Sequence, residues 1–268
     1  MKKTARHLLM LLSMLLLYPP VSVYAFTGSV PADGGTYYLY NVGKQAFVYG
    51  DNDWGTRVSL TQQGGIPVTL VSSGEAGRYY ISTSPTYPDL FLGYDGYVDK
   101  ASTDADNYTS WLFTAVEGQT NVYTLKATKN DKYWLVGRAS DNKTTRVTSA
   151  PTNNYGYWML VTRAALVADL ADATSDNPKD ATKCIVNPNF GVKTSGAGWT
   201  ETPKIGGHTN YQCAERWNIS SFDVAQTLTG MPNGIYKMNI QGFYRVGGSA
   251  DNATEAAAAR TAGSEALN

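Results

Sequence analysis

The sequence predicts an all-β fold built from repeats, and three observations lead there. Nineteen tyrosines and 26 glycines stand against only 16% charged residues, the composition of a turn-rich β chain rather than a helical one. Apolar residues alternate with polar ones over short runs, as in half-buried strands. A pattern of strand, aromatic–aliphatic pair and strand occurs three times, at a period of about 43 residues.

Residues 1–25 come first and carry a different signal. Lys2, Lys3 and Arg6 form a positive start, Leu8 to Leu17 an apolar run, and Val23 and Ala25 the small-residue cleavage pattern. This reads as a secretory signal peptide cleaved before Phe26. The apolar run is shorter than the ~20 residues a membrane span needs. No cysteine stands directly after it, in residues 18–26, so a bacterial lipoprotein anchor is not expected. The expected location is secreted, periplasmic or cell-surface, with no membrane attachment after cleavage. Removing three cations from 22 leaves 19 against 22 acids, with no basic run, which disfavours nucleic acid as a partner.

The repeats occupy residues 26–163. Their opening strands centre on Leu39, Ile81 and Leu125, and their pairs are Phe47-Val48, Phe91-Leu92 and Trp134-Leu135. Their closing strands are Val68–Leu70, Trp111–Phe113 and Trp158–Leu160. One such unit has too few apolar side chains for its own core, but three packed around a pseudo-threefold axis share one. Pleating sends alternate residues inward, so the recurrent aromatics are expected in the core. A propeller is the other architecture at this period, and three blades do not close one.

This pattern resembles the β-trefoil of ricin-type lectins. Trp111 and Trp158 stand where that family has its signature tryptophan, with Thr109 and Gly156 at its glutamine. Tyr49, Gly93 and Val136 stand where the family carries a sugar-binding aspartate. The resemblance therefore implies the fold and the lectin class, while the family's usual sugar-binding set is missing.

Residues 164–183 are expected to form a short helix, with Leu166, Leu170 and Ala173 at helical spacing, and then a linker broken by "SDNPKD". Residues 184–268 read as strands. Asn187-Pro188-Asn189-Phe190, Gly198-Trp199 and the run Gln226 to Tyr244 resemble carbohydrate-binding modules with a galactose-binding-like jelly-roll. Gly191 stands where those modules often carry a calcium-holding glutamate, so no metal is expected. The longer stretch Phe222 to Arg245 reads as a hairpin, strand, tight turn, strand, with Met231-Pro232-Asn233-Gly234 as its turn. A jelly-roll needs about eight strands, and residues 184–268 supply about five, so an incomplete sandwich, and a chain that is a fragment, is expected. Cys184 and Cys213 could bridge in an exported protein or remain two buried thiols.

Catalysis finds little support. His208 is the single histidine after the signal and is expected in a polar turn, "GGHTN", without a nucleophile motif. One histidine and two cysteines do not make a zinc site. No cofactor and no metal is expected, and the chain is read as non-enzymatic. Glycans are the expected partner, because sugars are held by an exposed aromatic face beside amides and carboxylates. The candidates are Asp51 and Trp54 in the first repeat, Tyr94, Asp95 and Tyr97 in the second, and Asn142 beside Arg138 and Asp141 in the third. Trp217 is the candidate in the C-terminal region. Two other readings stay open: accessory domains of a larger glycoside hydrolase, and a cell-surface adhesin without a sugar site.

Overall fold

The computed structural model describes residues 26–49, 58–82, 90–93, 100–101, 110–128, 132–190, 198–202, 206–208, 213–215, 221 and 223–240. The first repeat contains β1 (Thr36–Asn41), β2 (Ala46–Tyr49), β3 (Ser59–Thr61) and β4 (Val68–Ser72). The second contains β5 (Arg78–Ser82), β6 (Leu90–Phe91), β7 (Lys100–Ala101) and β8 (Trp111–Ala115). The third contains β9 (Val122–Ala127), β10 (Trp134–Gly137), β11 (Thr144–Val147) and β12 (Trp158–Val161).

Six of these strands close into a ring of antiparallel pairs. β1 pairs β4, β4 pairs β5, β5 pairs β8, β8 pairs β9, β9 pairs β12, and β12 returns to β1. The remaining strands make one hairpin per repeat: β2–β3, β6–β7 and β10–β11. A six-stranded barrel with three hairpins, in three sequential units, is a β-trefoil. Closure leaves the ring without free edges.

The shared core lies inside the ring. Leu39, Leu70, Ile81, Trp111, Leu125, Trp158 and Leu160 are completely buried there. Each aromatic–aliphatic pair splits across its strand. Val48, Leu92 and Leu135 enter this core, whereas Phe47 joins a second cluster and Phe91 and Trp134 remain only partly buried. The expectation that the recurrent aromatics are core therefore fails at Phe91 and Trp134. Adjacent residues on a strand face opposite ways, and only one of each pair can face inward.

β1 and β12 are buried on both faces. Tyr38, Tyr40, Met159 and Val161 turn outward and are covered by Phe26, Leu166, Leu170 and Cys184. The cover is α1 (Arg163–Ala168), whose Thr162 cap accepts a hydrogen bond from Ala165 N at 3.2 Å. Residues expected as helix and spacer are thus packed on the barrel, with Leu166 and Leu170 inward and Ala173 exposed. Gly64 allows the closest approach, since a Cβ there would lie 1.7 Å from the Ile185 carbonyl oxygen.

Beyond α1, the "NPNF" and "GW" residues form a small knot. Gln226 accepts from Val186 N at 2.8 Å and donates to the carbonyls of Val186 and Gly198 at 3.0 and 2.8 Å. Trp199 Nε1 donates to the Asn187 carbonyl at 3.0 Å and its ring stacks on Phe190 at 4.9 Å. Asn187 and Phe190 both have positive φ. Gly198, at φ +84°, is the position where a side chain would meet Val186.

Four short strands follow: β13 (Thr200–Thr202) pairs β16 (Asp223–Ala225), and β14 (Gly206–His208) pairs β15 (Cys213–Glu215). His208, expected in a turn, therefore lies on a strand. Of the two states left open for Cys184 and Cys213, the bridge is not formed. Cys184 is a free thiol, fully buried between α1 and the barrel, whereas Cys213 lies on β15 in register with His208. By its contacts the chain divides after Met231. In the expected hairpin, only Asp223–Ala225 is strand among the described residues, and 226–240 carry none. Ile235, Tyr236, Met238 and Ile240 are exposed. Without a covering face, a two-stranded hairpin is marginal.

Candidate functional site

The buried tryptophans are structural. Trp111 Nε1 donates to the Leu92 carbonyl at 3.1 Å, and Trp158 Nε1 to the Leu135 carbonyl at 2.9 Å. Each indole thereby ties the closing strand of its repeat to the aliphatic residue of the same repeat's pair. Val68 stands at this place in the first repeat. Neither indole has exposed surface to offer a ligand. Of the positions where ricin-type lectins carry aspartate, Gly93 and Val136 are buried and Tyr49 is partly buried.

The third repeat presents a defined polar turn, residues 138–143, between β10 and β11. Arg138 N donates to the Lys143 carbonyl at 2.8 Å and closes it. Asp141 Oδ1 accepts from Lys143 N at 3.1 Å, and its other oxygen pairs with the Arg138 guanidinium at 3.2 Å. The Asn142 carbonyl accepts from Leu60 N at 2.7 Å, which anchors the turn to β3 of the first repeat. A bridge between Ser59 and Lys143 adds to this hold. The Asn142 side chain is exposed, and Arg138 and Asp141 expose more than a third of theirs. A guanidinium and a carboxylate are thus paired at the surface, on a turn that also carries the exposed Asn142, groups of the kind that donate to and accept from sugar hydroxyls.

Of the residues singled out from sequence, this turn contains Asn142 with its neighbours Arg138 and Asp141. Asp51, Trp54, Tyr94, Asp95, Tyr97 and Trp217 lie outside the described residues. Trp134 was missed as a surface residue, although its place beside inward-facing Leu135 is the signal that finds it. Lys126 Nζ lies 5.1 Å from the Trp134 ring centre.

Other features point away from chemistry. Burial pushes the Cys184 thiol up, against the opposing pull of Arg163 and Lys183, which removes it as a nucleophile. Arg163 donates to the Cys184 carbonyl instead. A recess of about 460 Å³ opens between Phe26, Thr27, Ala164, Ala165, Ala168 and Asp169. Its charged group, Asp169, is already paired with Lys183. Among the described residues, no three His, Cys, Asp or Glu side chains gather as a metal site would need. Among the same residues, no helix is long and apolar enough to cross a membrane.

No protein-family model matches the chain, and no curated protein matches it. Several solved structures resemble part of it. A designed threefold-symmetric protein, ThreeFoil, is 18% identical over 48% of this chain and 99% of its own, with a TM-score of 0.39. The ricin B-like lectin of Macrolepiota procera, solved with lactose, is 15% identical over 50% of this chain and 99% of its own, at 0.38. The Polyporus squamosus lectin, bound to a sialylated epitope, is 14% identical over 54% of this chain, at 0.39, and the match spans 56% of that lectin. The trefoil itself is established by the strand pairing of this chain, independently of these likenesses.

Proposed function

We propose that this chain is an exported, non-catalytic carbohydrate-binding protein. Its trefoil presents sugar-binding groups on the hairpin ends, and a module of the galactose-binding-like type follows. The observation that carries the reading is the turn 138–143, closed by the bond from Arg138 N to the Lys143 carbonyl and tied to the first repeat through the Asn142 carbonyl, with Asp141 held by Lys143 N and Arg138, and all three residues at least partly open to solvent. Groups held in place before binding lose little freedom when a ligand arrives. The packing of Phe26 supports export with cleavage after Ala25. Its ring sits 5.3 Å from both Tyr40 and Phe47, so the first residue of the mature chain would already be part of the fold.

A protein-binding adhesin is the second reading. It is favoured by the buried Gly93 and Val136, which put no carboxylate at the places ricin-type lectins use. A glycan array probed with the exported chain separates the two. Binding that Asp141→Ala and Asn142→Ala both lose supports a sugar site on this turn. An array left blank by the correctly folded chain removes the carbohydrate reading.

A further inference from the structure

A buried amide behind the turn 138–143 ties two further surface segments to it. Asn41, at the end of β1, is completely buried. Its Nδ2 donates to the Tyr155 carbonyl at 2.8 Å, and its Oδ1 accepts from Lys44 N at 3.0 Å. A Cβ on Gly137 would lie 2.9 Å from that Oδ1 and 2.8 Å from Lys44 Cγ. The amide and the Lys44 stem therefore both lie against Gly137, the residue just before Arg138. Gly43 N donates to the Asn154 carbonyl and Val42 N to the Tyr157 carbonyl, each at 2.9 Å. The β1–β2 turn, the single 3-10 turn Asn154–Gly156 and the base of the turn 138–143 are thus fixed to one another.

Two side chains on these turns are left open. The Tyr155 ring is 38% exposed, and among the described residues no ring or cation stacks on it. Lys44 is partly exposed, and among the same residues no carboxylate pairs with its ammonium. Arg138 is already paired with Asp141, so the charge available beside the turn is that of Lys44. Gln45 and Asn154, their neighbours in the chain, are exposed as well and add amides.

We propose that Lys44 and Tyr155 form a subsite for a carboxylate-bearing sugar, continuing the sugar site of the turn 138–143. The proposal rests on the carbohydrate-binding reading above and adds two residues and a ligand class to it. The Tyr155 ring offers an apolar face to sugar C–H groups and a hydroxyl to their polar edges. The Lys44 ammonium brings three N–H donors. A carboxylate accepts from them through charge-assisted bonds, which are stronger than those a neutral hydroxyl makes. Both residues stand on short turns whose backbone is already bound, so little ordering is left for the ligand to impose. A protein partner would need a much wider patch, ~800 Å² on this side. A single sugar unit needs one open ring and a few donors and acceptors, and this corner holds them.

The test is a glycan array printed with sialylated, uronate-containing, sulfated and neutral glycans, probed with the exported chain and two variants. Carboxylate-bearing glycans should bind at least about tenfold more tightly than their neutral counterparts, and the preference should shrink as salt rises. Lys44→Met keeps the stem against Gly137 and drops the charge, so it should remove the preference while neutral binding stays. Tyr155→Ala should weaken binding of neutral and carboxylate-bearing glycans alike. Circular dichroism and the urea midpoint of both variants should match wild type. Neutral glycans bound as tightly as carboxylate-bearing ones, or a preference unchanged in Lys44→Met, overturns the proposal while leaving the carbohydrate reading in place. Sulfated glycans bound more tightly than carboxylate-bearing ones also overturn it. An array left blank by the correctly folded chain removes both.

Discussion

Two stretches of alternating apolar residues in this chain meet different fates. In β9, Val122, Leu125 and Ala127 are completely buried, and the strand has β8, β10 and β12 as neighbours. In residues 235–240, Ile235, Tyr236, Met238 and Ile240 are exposed, and no strand forms. The difference lies in what surrounds each stretch. Alternation decides which face a side chain takes, but a strand persists only where its edges are paired and one face is covered. A closed ring supplies both conditions to all six barrel strands at once. The mutations that best break or sharpen this contrast run from the ring interior outward.

The largest effect is expected at Trp158. Replacing this fully buried indole by alanine opens a cavity between β12 and the core and should cost about 3–5 kcal/mol. Urea denaturation followed by circular dichroism measures it. Trp158→Phe keeps most of the packing but leaves the Leu135 carbonyl without its 2.9 Å partner, for an expected loss of about 1–3 kcal/mol. A loss below about 1 kcal/mol for the alanine variant would mean that the ring interior does not dominate stability.

Tyr40 comes next, on the outer face of β1 beneath the covering layer. Burial pushes its phenol from 10.0 up to about 12. The folded state therefore holds this proton more tightly than the unfolded chain does. Its contribution is complete below pH 10 and is lost as the pH rises from 10 through 12, on the order of 2 kcal/mol. Tyr40→Phe has no proton to lose, so its stability should fall less steeply over that window than wild type. Parallel slopes would show that the covering layer does not shield this ring from water.

Gln226 marks the border between the ordered C-terminal layer and the segment without strands. Its amide both donates and accepts, and Gln226→Ala should cost about 1–3 kcal/mol through the three backbone groups it holds. Gln226→Glu tests the same clasp differently. A carboxylate still accepts from Val186 N, but it cannot donate to the carbonyls of Val186 and Gly198. Faster hydrogen exchange at the Val186 amide in the alanine variant, with slower exchange retained in the glutamate variant, is the expected pattern. Equal exchange in all three proteins would mean that the clasp does not hold this segment.

How much of this was legible depended on what each residue's neighbours are. The six strands named around Leu39, Val68 and their equivalents appear where their apolar spacing puts them, because barrel closure rewards that alternation, and the three aromatic–aliphatic pairs fall at β2, β6 and β10. β3, β7 and β11 were not visible. They are short and largely polar, two to four residues each, and pair as the second strands of their hairpins, with Leu60 as the one apolar residue that β3 sends into the core. The polar character of residues 138–143 was legible from Arg138, Asp141 and Asn142. The anchoring of that turn to Leu60 was not, since it joins residues 82 positions apart. The outward turn of Trp134 was legible in principle from Leu135. The register that sets Trp134 opposite Lys126 was not, because cross-strand register exists only in the assembled sheet.

The smallest effect is expected at Met238, and it bears most directly on the contrast. Met238 is 74% exposed, so it has little apolar contact to lose. Met238→Ser should change the urea midpoint by no more than the ±0.5 kcal/mol usual for surface substitutions. The same change at Leu125 removes a fully buried side chain of the ring and places a hydroxyl in an apolar core, with a loss of several kcal/mol. Both positions lie in alternating stretches, so a ratio near one would place the stability of residues 235–240 on a par with that of the barrel. A large ratio ties strand formation to the covering of a face, and makes the exposed run from Ile235 to Ile240 a sequence whose alternation has no buried side to report.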